Sequence, residues 1–153
     1  MTTPEERLQE LGVSLPAPAV PVAAYVPCVR TGSLVYVSGQ VPVLDGKPSH
    51  LGHLGDNVDS EDGRAAARTC AVNVLAALKA ELGELSRVRR VVKVTGFVAS
   101  TPDFTDHPKV INAASELFGD VFGDAGRHAR AAIGVAALPL GVPVEVEAIV
   151  EVA

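Results

Sequence analysis

The end of the sequence alternates between two kinds of side chain, and this pattern is the strongest constraint on the fold. From residue 144 to residue 152, Val or Ala occupies every second position, and Glu145, Glu147 and Glu151 are among the residues between them. A period of two is the period of a β-strand, whose successive side chains point to opposite faces of a sheet. The segment therefore predicts a strand with one buried and one polar face.

Two amphipathic helices are predicted before this strand. Apolar residues recur at helical spacing between about Ser60 and Leu82, and Gly83 ends the segment. A second helix is predicted to begin near Asp106 or Pro108, with apolar residues on one side as far as Val121.

The other regular segments have the composition of strands. They comprise residues 25–30 and 34–43, which form a hairpin around a turn at 31–33, and then 91–98 and 129–137. The unbroken apolar run 34–37 is typical of a strand covered on both faces. The predicted order is β-β-α-β-α-β-β, an α+β domain with a mixed sheet and two helices packed on one face.

The chain has 153 residues, which corresponds to one globular domain. We expect residues 1–24 to form a helix, capped by Thr3 and stopped by Gly12, and a proline-rich arm, and residues 25–153 to form the domain. Residues 44–63 contain Asp45-Gly46, Pro48, two His and four more Gly or Asn residues, and are predicted to be loop.

Charge and hydropathy exclude several functional classes. The formal net charge is −5, so the molecule repels phosphate backbones and nucleic acid is not expected as a partner. The sequence contains no apolar run long enough to span a membrane, and its first residues are acidic rather than basic, so we expect a cytoplasmic protein with no membrane partner. Cys28 and Cys70 lack the spacing of a redox or zinc motif and are interpreted as packing residues.

The histidines give a weak metal signal. His50 and His53 lie three apart in the glycine-rich loop, where a third ligand such as Asp56 or Asp59 would be needed, so solvated loop residues are the favoured interpretation. His107 and His128 adjoin element ends, where capping or surface roles are expected. No cofactor and no metal are predicted.

Arg130 and Glu145 are the residues most suited to chemistry. Arg130 opens a strand of small and apolar residues, where a guanidinium needs an anionic partner: a protein acid such as Glu145, Glu147 or Glu151, or a substrate carboxylate. Glu145 is either a solvated side chain or a carboxyl with a raised pKa suited to proton transfer. If the last two strands form a hairpin, Glu145 lies opposite about Ala136, roughly 20 Å from Arg130 along the sheet. The two residues can then share a site only across subunits.

Three ordered motifs resemble the RidA (YjgF-type) family of imine and enamine deaminases. They are Val37-Ser38-Gly39-Gln40-Val41-Pro42, Val92-Lys93-Val94-Thr95-Gly96-Phe97-Val98, and the run Arg130 to Pro139 followed by Val144-Glu145-Val146-Glu147-Ala148. The resemblance covers about residues 25–152. It implies a chorismate-mutase-like fold, a homotrimer and an active site in a cleft between subunits.

The resemblance also implies roles for individual residues. Arg130 would bind the substrate carboxylate and Glu145 would help to position the attacking water, while other residues would line the pocket: Tyr25, Ser38, Gly39, Asn112 and the backbone of Ala132. The chain departs from many deaminating members at two positions, with Ala132 in place of a cysteine and Gly134 in place of an acid.

The implied activity is hydrolysis of 2-imino and enamine acids, such as 2-aminoacrylate, to 2-oxo acids and ammonia without a cofactor. The alternative is a non-catalytic trimer that binds a small carboxylate in the same cleft. Ribonuclease activity, attributed to some relatives, is disfavoured by the negative charge and by the lack of a basic patch with interleaved aromatic residues.

Overall fold

The computed structural model describes residues 2–18, 20 and 23–153, which contain three α-helices and two sheets. The elements, in chain order, are α1 (Pro4–Glu10), β1 (Cys28–Thr31), β2 (Leu34–Gln40), β3 (Val43–Leu44), β4 (Lys47–Pro48), α2 (Ser60–Leu82), β5 (Val88–Ala99), α3 (His107–Phe122), β6 (Ala129–Val135) and β7 (Val144–Val152). Short 3₁₀ turns lie at Leu85–Arg87, Gly123–Gly126 and Pro139–Gly141.

The main sheet has the strand order β1-β2-β7-β5-β6. The pairs β1/β2, β2/β7 and β5/β7 are antiparallel, and β5/β6 is parallel, so the predicted mixed sheet is confirmed. The predicted β-β-α-β-α-β-β order is also found. One addition is the small β3/β4 ribbon, which lies at the start of the segment predicted as loop.

The predicted hairpin between the last two strands is wrong. Strand β5 lies between β6 and β7, because β5, α3 and β6 form a β-α-β unit whose helical crossover returns the chain parallel to β5. The turn between β6 and β7 instead crosses the end of β5, where Pro143 O accepts a hydrogen bond from Ala99 N. Glu145 therefore pairs with Phe97 of β5 and not with Ala136.

Both long helices pack on one face of the main sheet. Their apolar sides and the inward residues of the strands form a single core, in which Phe118, Leu75, Leu78 and Ile111 are among the largest buried side chains. Gly96 of β5 is required for this packing, since a Cβ there would lie 2.5 Å from Ile111 Cδ1. The alternation predicted for residues 144–152 is confirmed, because every second residue of β7 is buried.

The other face of the sheet is open in the described chain. Val29, Tyr36 and Ile133 are exposed on it, each by 45% or more. The expectation that residues 34–37 are covered on both faces is therefore wrong for a single chain, since Val35 and Val37 face the helices while Tyr36 points away from them.

The N-terminal helix packs on the core. Thr3 caps α1 through the reciprocal hydrogen bonds of a capping box with Glu6, and Leu8 is 4% exposed within the core. Glu5 accepts a hydrogen bond from Leu85 N at 2.6 Å, which ties α1 to the loop after α2. Parts of the predicted proline-rich arm, residues 19, 21 and 22, lie outside the described residues. Among the helices that are described, none is both long and apolar enough to cross a membrane.

Candidate functional site

The Arg130 guanidinium is held by three neutral oxygen atoms of α3. Nη1 donates to Asn112 Oδ1 at 2.8 Å and to Ser115 Oγ at 3.2 Å, and Nη2 donates to the Pro108 carbonyl at 3.4 Å. The arginine reaches these partners because it pairs with Val94 of β5 and so points to the helix side of the sheet. Asn112, which the resemblance assigns to the pocket, is thus next to Arg130.

Arg130 forms no ion pair with a carboxylate among the described residues. The alternative of a pair with Glu145, Glu147 or Glu151 within one chain is not found, and Glu151 instead lies 3.9 Å from Arg90. Neutral acceptors orient a guanidinium without neutralising it, so its charge is available to an anion. The planar fork of donors suits a carboxylate in particular.

Two residues behind Arg130 were missed by the sequence reasoning. Ser115 Oγ lies 2.9 Å from His128 Nε2, and His128 Nδ1 lies 2.6 Å from the Gly126 carbonyl oxygen. A carbonyl can only accept, so Nδ1 carries the ring proton and Nε2 accepts from the Ser115 hydroxyl. Ser115 in turn accepts from Arg130, and the three side chains form one hydrogen-bonded chain.

His128 is half-buried: it contacts the last carbonyl of the 3₁₀ turn, as the expected capping role requires, and it also supports Ser115, which was not expected. Burial and the neighbouring Arg130 lower its pKa below the usual value of 6.5, although the hydrogen bond at Gly126 opposes this shift. A neutral His128 is the form that can accept from Ser115. The one signal in the sequence was that Ser115 lies three residues after Asn112 and so on the same side of the helix. This spacing does not indicate that His128, 13 residues further along the chain, contacts Ser115.

Glu145 and Gly39 form a second group of candidate residues. A Cβ at residue 39 would lie 2.7 Å from Glu145 Oε2, so the glycine leaves the space that the carboxyl group occupies. Gly39 lies where the β2/β7 register shifts between Val37 and Gln40. Burial, together with the nearby Glu147 carboxylate, raises the pKa of Glu145 above its usual value of 4.5.

Ser38 and Tyr25 adjoin this second group. Ser38 Oγ donates to the Val26 carbonyl at 2.7 Å, and its backbone N donates to the Pro27 carbonyl at 2.8 Å. These bonds fix the segment that carries Tyr25, whose side chain is 55% exposed. The sequence-predicted residues therefore fall into two groups, one around Arg130 and the other around Glu145.

The two groups lie on opposite faces of the main sheet. Residues paired across strands point to the same face, and Arg130 pairs with the buried Val94, whereas Glu145 pairs with Phe97 on the open side. Ala132 lies two residues from Arg130 and belongs to its face. One chain does not bring Arg130 and Glu145 together.

The weak metal signal of the histidine loop gains no support. His50 Nε2 lies 3.8 Å from Asp62 Oδ1, and His53 Nε2 lies 2.8 Å from the Ala136 carbonyl oxygen. Within the described part of the chain, no three His, Cys, Asp or Glu residues are grouped as metal ligands would be.

Comparison with known proteins gives a family match over nearly the whole chain. Residues 5–151 match a family model described as "YjgF/chorismate mutase-like, putative endoribonuclease". This match begins within α1 and so extends further towards the N-terminus than the motifs quoted above.

Individual relatives agree with this match. Protein TCP17 of Trypanosoma cruzi is 50% identical over 145 residues, which are 94% of this chain and 91% of that protein. The 2-iminobutanoate/2-iminopropanoate deaminase of Salmonella typhimurium is 37% identical over 87% of this chain and 90% of its own length. The solved structure of Atu1372 from Agrobacterium tumefaciens, described as having unknown function, is 50% identical, with a TM-score of 0.92 and coverage of 98% of this chain and 92% of its own.

Proposed function

Because the chain belongs to the YjgF/chorismate mutase-like family, we propose that it hydrolyses small 2-imino and enamine acids to 2-oxo acids and ammonia. The observation that carries the proposal is the Arg130 guanidinium, held by three neutral acceptors and without a carboxylate partner among the described residues. The name of the Salmonella relative supports this substrate class.

Arg130 fixes the substrate by its carboxylate, through charge-assisted hydrogen bonds from the guanidinium. The imine carbon, which is bonded to that carboxylate, then lies at a defined distance from the guanidinium, along β6 near the backbone of Ala132. Holding the two reactants in one geometry supplies much of the acceleration for a reaction that already proceeds in water.

Glu145 orients the water that attacks the imine carbon. The water oxygen forms a bond to this carbon, the carbon-nitrogen double bond becomes a single bond, and the nitrogen takes up the proton that water releases. The hydroxyl proton of the tetrahedral intermediate then passes to the nitrogen, the carbonyl forms as the carbon-nitrogen bond breaks, and ammonia leaves. A carboxyl whose pKa is raised by burial, as that of Glu145 is, is suited to accept and return a proton. An enamine first gains a proton at its β-carbon to become the imine.

Such a site takes Arg130 and Glu145 from different subunits, and we propose a homotrimer as the assembly. The open face of the sheet supports this, because Val29, Tyr36 and Ile133 expose apolar side chains on it that a neighbouring chain would cover. A cavity of about 390 Å³ on the same face is lined by both polar and apolar residues, including Lys93, Thr95 and Glu147.

The test is the release of pyruvate and ammonia from 2-aminoacrylate generated in situ by a serine dehydratase. We expect the protein to accelerate release above the spontaneous rate, and to reduce the amount of imine trapped by semicarbazide. No acceleration, with pyruvate binding retained in a calorimeter, would favour the non-catalytic carboxylate-binding alternative. A monomer in light scattering at micromolar concentration would overturn the intersubunit site.

A further inference from the structure

A cavity of about 430 Å³ lies at the far end of β6 from Arg130 and plays no part in the steps described above. It is lined by a serine, a histidine, a threonine and a set of small and apolar residues, namely Ser100, Thr101, Pro102, Phe104, His107, Gly134, Val135 and Ala136. We call it the side-chain cavity. Its volume exceeds by an order of magnitude the roughly 30 Å³ that one water molecule takes up in the liquid.

A histidine and a serine are held together in this cavity. Ser100 Oγ lies 3.1 Å from His107 Nε2, and the Phe104 ring meets the imidazole edge to face at 5.2 Å between centroids. Gly134 makes this arrangement possible, since a Cβ there would lie 2.5 Å from His107 Nε2 and 2.9 Å from Ser100 Oγ. Any other residue at position 134 would displace the pair.

The side-chain cavity lies on the same face of β6 as Arg130. Arg130, Ala132 and Gly134 alternate along β6, so they share one face, and Gly134 is about 13 Å from Arg130 along the strand. The guanidinium reaches back along α3 and donates to the carbonyl of Pro108, the residue that follows His107. A substrate whose carboxylate binds Arg130 and whose imine carbon lies over Ala132 would direct its side chain towards the cavity.

The chemistry of the lining favours oxygen acceptors. It contains an imidazole and two hydroxyl groups, and the described residues that line it include no carboxylate. When Ser100 donates to Nε2, the ring proton of His107 is on Nδ1, which has no hydrogen-bond partner among the described residues. His107 is also the first residue of α3, where the helix dipole favours negative charge.

We propose that the side-chain cavity binds the far end of the substrate side chain and prefers 2-imino acids that end in a carboxylate or a carboxamide. His107 is the specificity-determining residue, with Ser100 and Gly134 holding it in place. This inference rests on the proposed function, because it takes the Arg130 carboxylate contact as the fixed end of the substrate.

The experiment compares three imines made in situ by amino acid oxidases from glutamate, glutamine and the apolar norleucine, whose side chain has a similar length. Wild type is measured beside His107→Phe, which keeps an aromatic ring but removes its nitrogen atoms, and beside Gly134→Ala, which displaces the pair. His50→Phe is the matched control, since His50 does not line the cavity.

We expect wild type to prefer the glutamate or glutamine imine over the norleucine imine in kcat/KM, and His107→Phe to reduce this preference by about threefold to tenfold, the value of one hydrogen bond. Gly134→Ala should change it in the same direction, whereas His50→Phe should leave it unchanged. If only the glutamate imine is preferred, the cavity recognises charge; if both polar imines are preferred, it recognises the acceptor oxygen. An unchanged preference in folded His107→Phe would overturn the inference.

Binding of the corresponding 2-oxo acids separates this inference from the proposed reaction. Calorimetry of 2-oxoglutarate and 2-oxohexanoate reports on the cavity without requiring turnover. If wild type hydrolyses no imine but binds 2-oxoglutarate more tightly, and His107→Phe loses that difference, the cavity assignment stands and the reaction does not. The opposite result is that 2-aminoacrylate is hydrolysed, while His107→Phe changes neither the kcat/KM preference among the imines nor the relative affinity for the two 2-oxo acids. In that case the reaction stands and the cavity assignment is wrong.

Discussion

Arg130 and Glu145 lie on opposite faces of one sheet, three residue rows apart and separated by the whole width of strand β5. The pairing of Arg130 with Val94 and of Glu145 with Phe97 fixes this relationship. No side-chain rotation carries either group through a hydrogen-bonded sheet. A site that uses both residues therefore requires two chains.

Mixed assemblies test this directly. Arg130→Ala and Glu145→Gln should each be inactive alone, and refolding them together should restore activity, because some clefts then combine the intact arginine of one chain with the intact glutamate of another. Random mixing of equal amounts gives about a quarter of the wild-type activity, since each cleft draws its two halves from different subunits. The rate of 2-aminoacrylate hydrolysis before and after mixing is the measurement.

Refolding each variant on its own is the control for that experiment. Mixtures that stay inactive, while light scattering and mass spectrometry find mixed oligomers, would contradict an intersubunit site.

Arg130→Ala should weaken binding of pyruvate by at least about tenfold, because each hydrogen bond to a charged group contributes roughly 1.5–3 kcal/mol. The free energy of unfolding should change by less than about 1 kcal/mol, since the arginine is only partly buried and has no carboxylate partner among the described residues. Calorimetry and urea unfolding measure the two quantities. Unfolding of the variant in buffer would make Arg130 a structural residue.

Glu145→Gln should lower kcat more than it alters the binding of a carboxylate ligand, because Glu145 acts on the water. Burial raises the pKa of Glu145, so the folded state favours its protonated form. This contribution to stability is present below the usual pKa of 4.5 and is lost as pH rises through the raised value. As pH rises from 4.5 through the raised pKa, the melting temperature of wild type should therefore fall relative to that of Glu145→Gln. If the melting temperatures of the two proteins change with pH in parallel, the assignment is contradicted.

Gly39→Ala should reduce turnover while leaving the Arg130 half of the site unchanged. The added methyl group would lie 2.7 Å from Glu145 Oε2, so the carboxyl group must move. Gly119→Ala is the matched control, because nothing lies within 4 Å of a Cβ at that helical position and alanine is the better helix former. We expect the control to be active and more stable by about 0.5–1 kcal/mol. Full activity of Gly39→Ala would show that the Glu145 position is not critical.

Acidification should weaken the Arg130 site through His128. Its lowered pKa means that the folded state favours the neutral ring, so the stability contributed is present above pH 6.5 and is lost as pH falls through the lowered value. Protonated Nε2 can no longer accept from Ser115. The pH dependence of the melting temperature should be smaller in His128→Phe, and pyruvate binding to Ser115→Ala should lose part of its pH dependence. Identical pH profiles in wild type and His128→Phe would refute this.

The sequence was sufficient for the element order because its periodicities are local. Helix α2 was predicted over its full length from apolar spacing and Gly83, and β7 from its alternation. Strand pairing is not a local property, and the predicted hairpin of β6 and β7 was wrong because adjacent strands in sequence were assumed to be adjacent in space. The helix between β5 and β6 was the available signal for a parallel pair.

The candidate site shows the same division. The sequence and its resemblance named four residues that the structure places in two pairs, Arg130 with Asn112 and Glu145 with Gly39. The Ser115 and His128 contact was not foreseen, since it depends on how closely α3 approaches the start of β6. The open sheet face was also missed, because an apolar run has the same appearance whether a helix or another chain covers it.

Strand β7 is the last of the main sheet to be synthesised, yet it lies at the centre of that sheet, between β2 and β5. Until it leaves the ribosome, the β1/β2 hairpin and the β5/β6 pair are two separate pieces, each with an unpaired edge. Their pairing through β7 must wait until residues 144–152 have been synthesised, and until then the growing chain presents unpaired, aggregation-prone strand edges. A ribosome stalled just before residue 144 would carry both long helices, α2 and α3, but no continuous sheet.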